Sequence, residues 1–299
     1  MPEQRLRAMM NPLIVKILLA ILIAVILLPM LATLIAALSG SLETGRGLAA
    51  SLLPDAIQST LILALCVGLG TALVGTLSAW LVTAYRFKGS HILEIALALP
   101  LAFPAYVVAY AYTVFLDHPG PVQTLLRQIT GWQGQDYWFP DVRSIGGAIF
   151  MFVLVLYPYV YLLARAAFMR QSAGAFQSAR SLGASPVRAF LTVSAPMARP
   201  AVAAGVALVL METMADFGTV AHFGVQTFAT AIYQSWFSFG DRAAAAQLSL
   251  CLLVVVLFLV AMERKQRGKR QGGSGGEVDQ ARPGIEAVDV AAPERQPPA

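Results

Sequence analysis

Two carboxylates four residues apart in an otherwise apolar run, Glu212 and Asp216, are the groups in this chain best placed to do chemistry. Glu212 lies eleven residues past Ala201, roughly 17 Å along a helix rising about 1.5 Å per residue. That spacing predicts a position near the midplane of a membrane, with Asp216 on the same helical face. An ionised carboxylate there costs about 2.5–3.5 kcal/mol or more unless it faces a cavity or a partner. The pair therefore reads as the lining of a cation route, or else as carboxyls that are protonated or bonded to a neighbouring helix. Tyr106 and Tyr110 share a helical face at i, i+4 spacing, and Tyr157 and Tyr161 repeat it. Phenols and carboxylates are hard oxygen donors suited to hard cations, although tyrosines at span ends more often anchor the headgroup interface. His222 reads as a ligand or as a wet interfacial histidine, and His91 and His118 as solvated loop residues. No set of residues is assigned to a resident metal or cofactor.

The elements that must hold these groups are apolar. Of 299 residues, 58% are apolar and 12% charged, and the mean hydropathy is +0.68, values that make the bilayer the solvent. Runs long enough to cross roughly 30 Å of hydrocarbon occur at about Leu13 to Leu38, Ile57 to Val82, Ile92 to Leu116, Ile145 to Ala167, Ala201 to Ala221 and Ala243 to Met262. The expectation is an all-α, polytopic protein of six transmembrane helices, the first a retained anchor because its run exceeds a cleaved signal's apolar core. Placing both termini inside leaves only Arg46, Arg127, Arg143 and Arg242 in outer loops, so the positive-inside bias predicts cytoplasmic termini. Gly68, Gly70, Thr71, Ala72 and Gly75 predict close helix packing along the second span. Pro100, Pro104 and Pro158 interrupt mid-membrane hydrogen bonding, through kinks around a pathway or through ordinary structural kinks. Cys66 and Cys251, without motif spacing, read as small packing residues. The expected organisation is an anchor segment at 1–54, a transmembrane domain at 55–264 and a disordered tail, basic and then Gly/Pro-rich, at 265–299.

Between Asp141 and Glu212 the chain has no acidic residue, and Arg165, Arg170, Arg180, Arg188 and Arg199 fall on the expected cytoplasmic side. Phe176, Ala179 and Leu182 follow helical spacing, Gly183 offers a stop, and Ser185 with Pro186 an N-cap and first-turn proline for a second short helix. Pro196 and Pro200 then predict its end. Such a loop reads as an interfacial helix pair on anionic lipid or as a docking element.

The stretch Gln177 to Gly183, followed by Pro196 and Pro200, resembles the "EAA" loop of membrane permeases of ABC-type importers. Ala179 and Gly183 match the second Ala and the Gly of that motif, whereas Gln177 and Ser178 stand where Glu and Ala are usual. The resemblance runs from about Asp55 to Arg270 and is closest to the first half of ferric-iron importer permeases. It is carried by LALPLAFPAYVVAYAYTVF at 97–115, LYPYVYLLARAAF at 156–168, METMADFGTVAHFG at 211–224 and TAIYQSWFSFGDRAAAAQL at 230–248.

The resemblance implies a type I ABC importer permease fold in a bacterial inner membrane. It implies a coupling loop at 173–200 in which Gln177, Ala179, Arg180, Gly183, Ala184, Arg188 and Pro196 meet a separate ATP-binding subunit. It also implies a translocation pathway drawing on Glu212, Asp216, Tyr106 and Tyr110, a periplasmic substrate-binding protein, and a second permease half, self or another chain. Ferric iron is the expected substrate, with sulfate, thiamine, polyamine or phosphonate, or a non-transporting scaffold or truncated half, as alternatives. The chain has no phosphate-binding G-x-x-x-x-G-K-[ST] loop, no H-E-x-x-H and no C-x-x-C, which argues against an enzyme. The triplet Asp216-Phe217-Gly218 lacks the context of a kinase metal motif.

Overall fold

The computed structural model describes residues 12–40, 42–85, 88–134, 136–170 and 173–274. All its regular elements among these residues are helices. The longer helices are α1 (Pro12–Leu38), α2 (Leu42–Ala84), α6 (Ile145–Arg170), α9 (Ala195–Ala215) and α12 (Arg242–Ser274). Between them lie α3 (Ser90–Ala96), α4 (Ala105–Leu116), α5 (Pro121–Thr130), α7 (Ala173–Ser181), α8 (Pro186–Ala189), α10 (Gly218–His222) and α11 (Phe228–Tyr233). The core lies where α2, α6 and α9 pack together, around Leu63, Val67, Phe152, Val155, Val160 and Val209. α1 lies outside this core with its apolar side chains turned outward, and is held to α12 by Gln247, whose amide donates to the Ala37 carbonyl at 3.0 Å.

The small-residue face of α2 is where the core closes. A Cβ on Gly75 would stand 2.8 Å from the Tyr157 carbonyl oxygen and 2.9 Å from the Tyr161 nitrogen, so the α2 and α6 backbones touch there. Gly205 of α9 meets α6 in the same way, 2.7 Å from the Val160 Cα. Without a hydrophobic drive between helices in lipid, this close approach is what supplies the association energy.

The expected span boundaries change in several places. By length and composition, four helical stretches among the described residues can cross a membrane: Val15–Leu38, Leu53–Ala84, Ile145–Arg170 and Pro186–Ala215. The third expected span is not one helix. Ser90–Ala102 and Ala105–Thr130 meet at a 99° bend because Phe103 and Pro104 are extended, as the residue before a proline prefers. Counted as one span, this pair makes five, and the apolar stretch Arg242–Phe258 is shorter than the others.

Pro196 and Pro200 do not end the second short helix before the fifth span. α8 runs through a π-helical turn at Phe190–Ser194 into α9, with Pro196 just past that turn and Pro200 inside α9. α9 ends at Ala215, and Asp216 is its extended cap with ψ 125°, so Asp216 does not continue the Glu212 face. Cys66 and Cys251 lie on the outside of the bundle and not in its packing. α12 continues to Ser274. The tail from 275, and Arg86 in the loop after α2, lie outside the described residues.

Candidate functional site

The elbow between α6 and α9 is built from local hydrogen bonds. Gly183 has φ +88°, the left-handed conformation that favours glycine. The Ala184 amide donates back to the Ala179 carbonyl at 3.1 Å and the Gly183 amide to the Arg180 carbonyl at 3.0 Å, the paired bonds of a Schellman helix end. Arg180 adds a third, donating from Nη1 to the Ala184 carbonyl at 2.8 Å. Three of the sequence-predicted docking residues, Ala179, Gly183 and Ala184, thus have a conformational role that the chain alone explains. Ser185 then caps α8, its hydroxyl accepting from the Arg188 amide at 3.3 Å.

The elbow leaves much of its surface uncovered. Leu182 is 88% exposed, and Gln177, Arg180 and Arg188 are exposed. Its rear is anchored by Phe190, which stacks on Trp80 with ring centroids 4.4 Å apart and sits beside Phe168. The outward side is free and the inward side is pinned to α2 and α6.

The membrane carboxylates separate into two roles. Asp216 is paired: its Oδ1 accepts the Thr219 amide at 2.7 Å and its Oδ2 the Thr219 hydroxyl at 3.1 Å, so it caps the short helix α10. Glu212 is exposed on α9, and among the described residues its side chain is bonded to the Tyr159 hydroxyl, which donates at 3.5 Å, the long limit of such a bond. Tyr159 is not among the tyrosines that i, i+4 spacing singles out, and no local pattern in the sequence ties it to Glu212, 53 residues on.

Tyr106 and Tyr110 are exposed on α4. The Tyr106 Cβ stands 3.0 Å from where a Gly218 Cβ would be, which brings α4 beside the break after Asp216. Tyr110 lies against His222, centroids 5.6 Å apart, and His222 Nε2 is 3.1 Å from the Thr113 hydroxyl. Tyr110, Thr113 and His222, with Asp117 and Arg143 in an ion pair at 3.3 Å, line a cleft of about 280 Å³. His222 is therefore bonded inside the fold and not simply wet. Tyr157 and Tyr161 are buried in the core and do not anchor an interface. Tyr161 donates to the Glu94 carbonyl at 3.1 Å.

Glu94, which the spacing arguments passed over, forms the strongest charge contact among the described residues. Its Oε2 accepts from Arg165 Nη2 at 2.5 Å, with both side chains about three-quarters covered. This pins α3 to α6 and makes Arg165 a structural partner instead of a free docking charge. Among the described residues, no group of three or more His, Cys, Asp or Glu side chains is arranged to hold a metal ion.

The chain is thus a bundle of apolar helices with a capped basic elbow between α6 and α9 and an exposed carboxylate in the last turn of α9. The same fold is found in a bacterial ABC transporter of alginate, crystallised with an alginate-bound periplasmic protein (TM-score 0.68, 19% identity, covering 84% of this chain and 92% of that one). A methionine ABC transporter, MetNI, shares it at TM-score 0.55, 15% identity and coverage of 72% and 94%. Residues 72–267 match the family described as binding-protein-dependent transport system inner membrane component, and the chain belongs to that family.

Among its relatives, the Fe(3+)-transport system permease protein FbpB 2 of Haemophilus influenzae is 28% identical over 218 residues, 73% of this chain. The chain spans 38% of that relative's length. The molybdenum transport system permease protein ModB of the same organism is 28% identical over 190 residues, 62% of this chain and 79% of the relative. A putative 2-aminoethylphosphonate transport system permease protein of Salmonella typhimurium, PhnU, is 26% identical over 227 residues, 75% of this chain and 79% of the relative.

Proposed function

We propose that this chain is the permease subunit of an ABC importer, working with a separate ATP-binding subunit, a periplasmic substrate-binding protein and a second permease half. The observation that carries the reading is the elbow: a chain without a phosphate-binding loop presents an exposed, acid-free turn whose rear is locked to the transmembrane core. Gln177, Arg180, Arg188 and Leu182 form its contact surface, and Ala179, Gly183 and Ala184 hold its shape. Pro196 acts behind it, at the start of the helix that leads to Glu212. In this reading both termini and the elbow lie in the cytoplasm of a bacterial cell with an inner membrane.

The proposed substrate is ferric iron. The Glu212 carboxyl beside the Tyr159 phenol, with Tyr106 further along, offers a passing trivalent cation hard oxygen contacts, the donor class that oxyanions such as molybdate or sulfate do not seek. Asp216 contributes by fixing the break in the chain more than by meeting the substrate.

The test has two separate arms. Affinity purification of the full chain from its native membrane should capture a nucleotide-hydrolysing subunit, and loss of that subunit on Arg180→Glu with Arg188→Glu would place the contact at the elbow. Reconstituted vesicles should then take up ferric iron and leave molybdate and sulfate outside. Capture of the ATPase with oxyanion uptake would keep the permease reading and remove iron; absence of any ATPase would remove both.

A further inference from the structure

Behind the elbow, a buried donor without an acceptor stands beside an acceptor without its usual donor. The donor is Trp80, near the end of α2. Its indole Nε1 is buried and has no hydrogen-bond partner. Among the described residues the other such side-chain atom is Arg165 Nε, whose guanidinium already bonds Glu94 through Nη2. A buried N–H left unmade costs its full desolvation, and few native groups persist in that state. The Trp80 ring is meanwhile stacked on Phe190 of the elbow, with centroids 4.4 Å apart and 31° between the planes.

The acceptor lies in the backbone next to Phe190. At the end of the π-helical turn Phe190–Ser194 the Ala195 amide donates to the Phe190 carbonyl. It is therefore not spent on Leu191, its partner in an α-helix. The next residue, Pro196, has no N–H to offer instead. The Leu191 carbonyl thus lacks its α-helical donor and its π-helical one.

We propose that Trp80 and the Leu191 carbonyl are the two halves of a latch. The chain exchanges between the arrangement described above and a minor one in which the elbow has shifted on α2 and the Trp80 indole N–H donates to the Leu191 carbonyl. Pro196 keeps that acceptor open. The stack permits the shift, since apolar contact is non-directional and the two rings can slide without losing it. Resting on the reading of the elbow as the contact of an ATP-binding subunit, the latch gives that subunit two states of the chain to select between. Trp80 is then a positioning residue, acting on the elbow through Phe190 and Leu191.

The experiment follows the indole Nε1–H signals of the four tryptophans by relaxation dispersion in the full chain, 15N-labelled and solubilised in detergent, with Trp80→Phe to assign the Trp80 signal. Exchange on the microsecond to millisecond scale should appear at Trp80, with a minor state of about 0.1–10%. Pro196→Ala supplies the missing N–H, occupies the carbonyl and should remove this exchange, whereas Pro200→Ala, further into α9, should leave it. A Trp80 signal without exchange overturns the latch, as does exchange that survives Pro196→Ala. Loss of exchange in Pro200→Ala as well would trace it to the prolines in general and overturn the role of Leu191. These results need no partner. The ATP-binding subunit captured with the chain should then change the minor population roughly 2–10-fold, the worth of one net hydrogen bond. An unmoved population would overturn the link to docking, whereas failure to capture any such subunit would count against the reading of the elbow itself.

Discussion

Replacing Gly183 by alanine should loosen the elbow by an amount set by backbone geometry alone. A Cβ at this position meets no atom within 4 Å, so the substitution creates no clash within the subunit. The remaining cost is the left-handed conformation at φ +88°, roughly 1–2 kcal/mol for a residue with a Cβ, which lowers the population of the closed turn about 5–30-fold. Asparagine tolerates this region better, so the order should be Gly, then Asn, then Ala, with valine last. Hydrogen–deuterium exchange of the Gly183 and Ala184 amides, both bonded in the turn, reads the effect without any partner; exchange should rise 5–30-fold for Gly183→Ala and less for Gly183→Asn. Affinity for the proposed ATPase subunit should fall in the same order, while the thermal midpoint of the bundle stays put. Equal losses for Asn and Ala would refute the backbone argument and point to side-chain size; no loss for either would show that the turn is not needed.

Other expectations follow from single contacts. Arg165→Met leaves the mostly covered Glu94 carboxylate unpaired and should lower stability by about 1–3 kcal/mol, between exposed and fully buried pairs; denaturation of the solubilised chain should show recovery when Glu94→Gln is added. Asp216→Ala removes the cap of α10 and should destabilise by about 0.5–2 kcal/mol while Asp216→Asn costs less. Glu212→Gln should leave the melting curve unchanged and reduce cation uptake, so that the two carboxylates separate into a structural and a transport role in paired melting and uptake assays. Gly75→Ala forces the α2 and α6 backbones apart and should cost about 1–3 kcal/mol, read by denaturation in detergent; a neutral result would mean that the helices do not touch there.

The helical, membrane-spanning class and the elbow were legible because they depend on local chemistry: apolar runs, a glycine after helical spacing, and a serine followed by proline. The break after Glu212 was not, since i, i+4 counting assumes an unbroken helix and Asp216 departs from it only to bond Thr219. The third span misled for a similar reason. Hydropathy sums through Phe103 and Pro104 without registering their extended backbone, whose consequence is the 99° bend. Glu94 and Arg165 are 71 residues apart in the chain, and nothing in either neighbourhood announces the other. Tyr157 and Tyr161 share a face as the spacing implies, but that face turns to the core, a choice made by Gly75 on another helix.

The same contacts make a direct mechanical line between the two regions of interest. Pro186–Ala215 is one helical stretch of 30 residues, about 45 Å at 1.5 Å per residue, with the elbow at its start and Glu212 in its last turn. Closely packed helices transmit displacement because interiors at crystal-like density have little room to absorb it, and Gly205 holds the middle of this stretch against the α6 backbone. At the far end the stretch stops at Asp216, where α10 turns back under Tyr106. In the proposed docking, a push on the elbow would travel along this stretch as far as Glu212 and meet a joint immediately beyond it. The exposed carboxylate is thus the last rigid point before the chain can yield, and the Asp216–Thr219 bonds set how readily it yields.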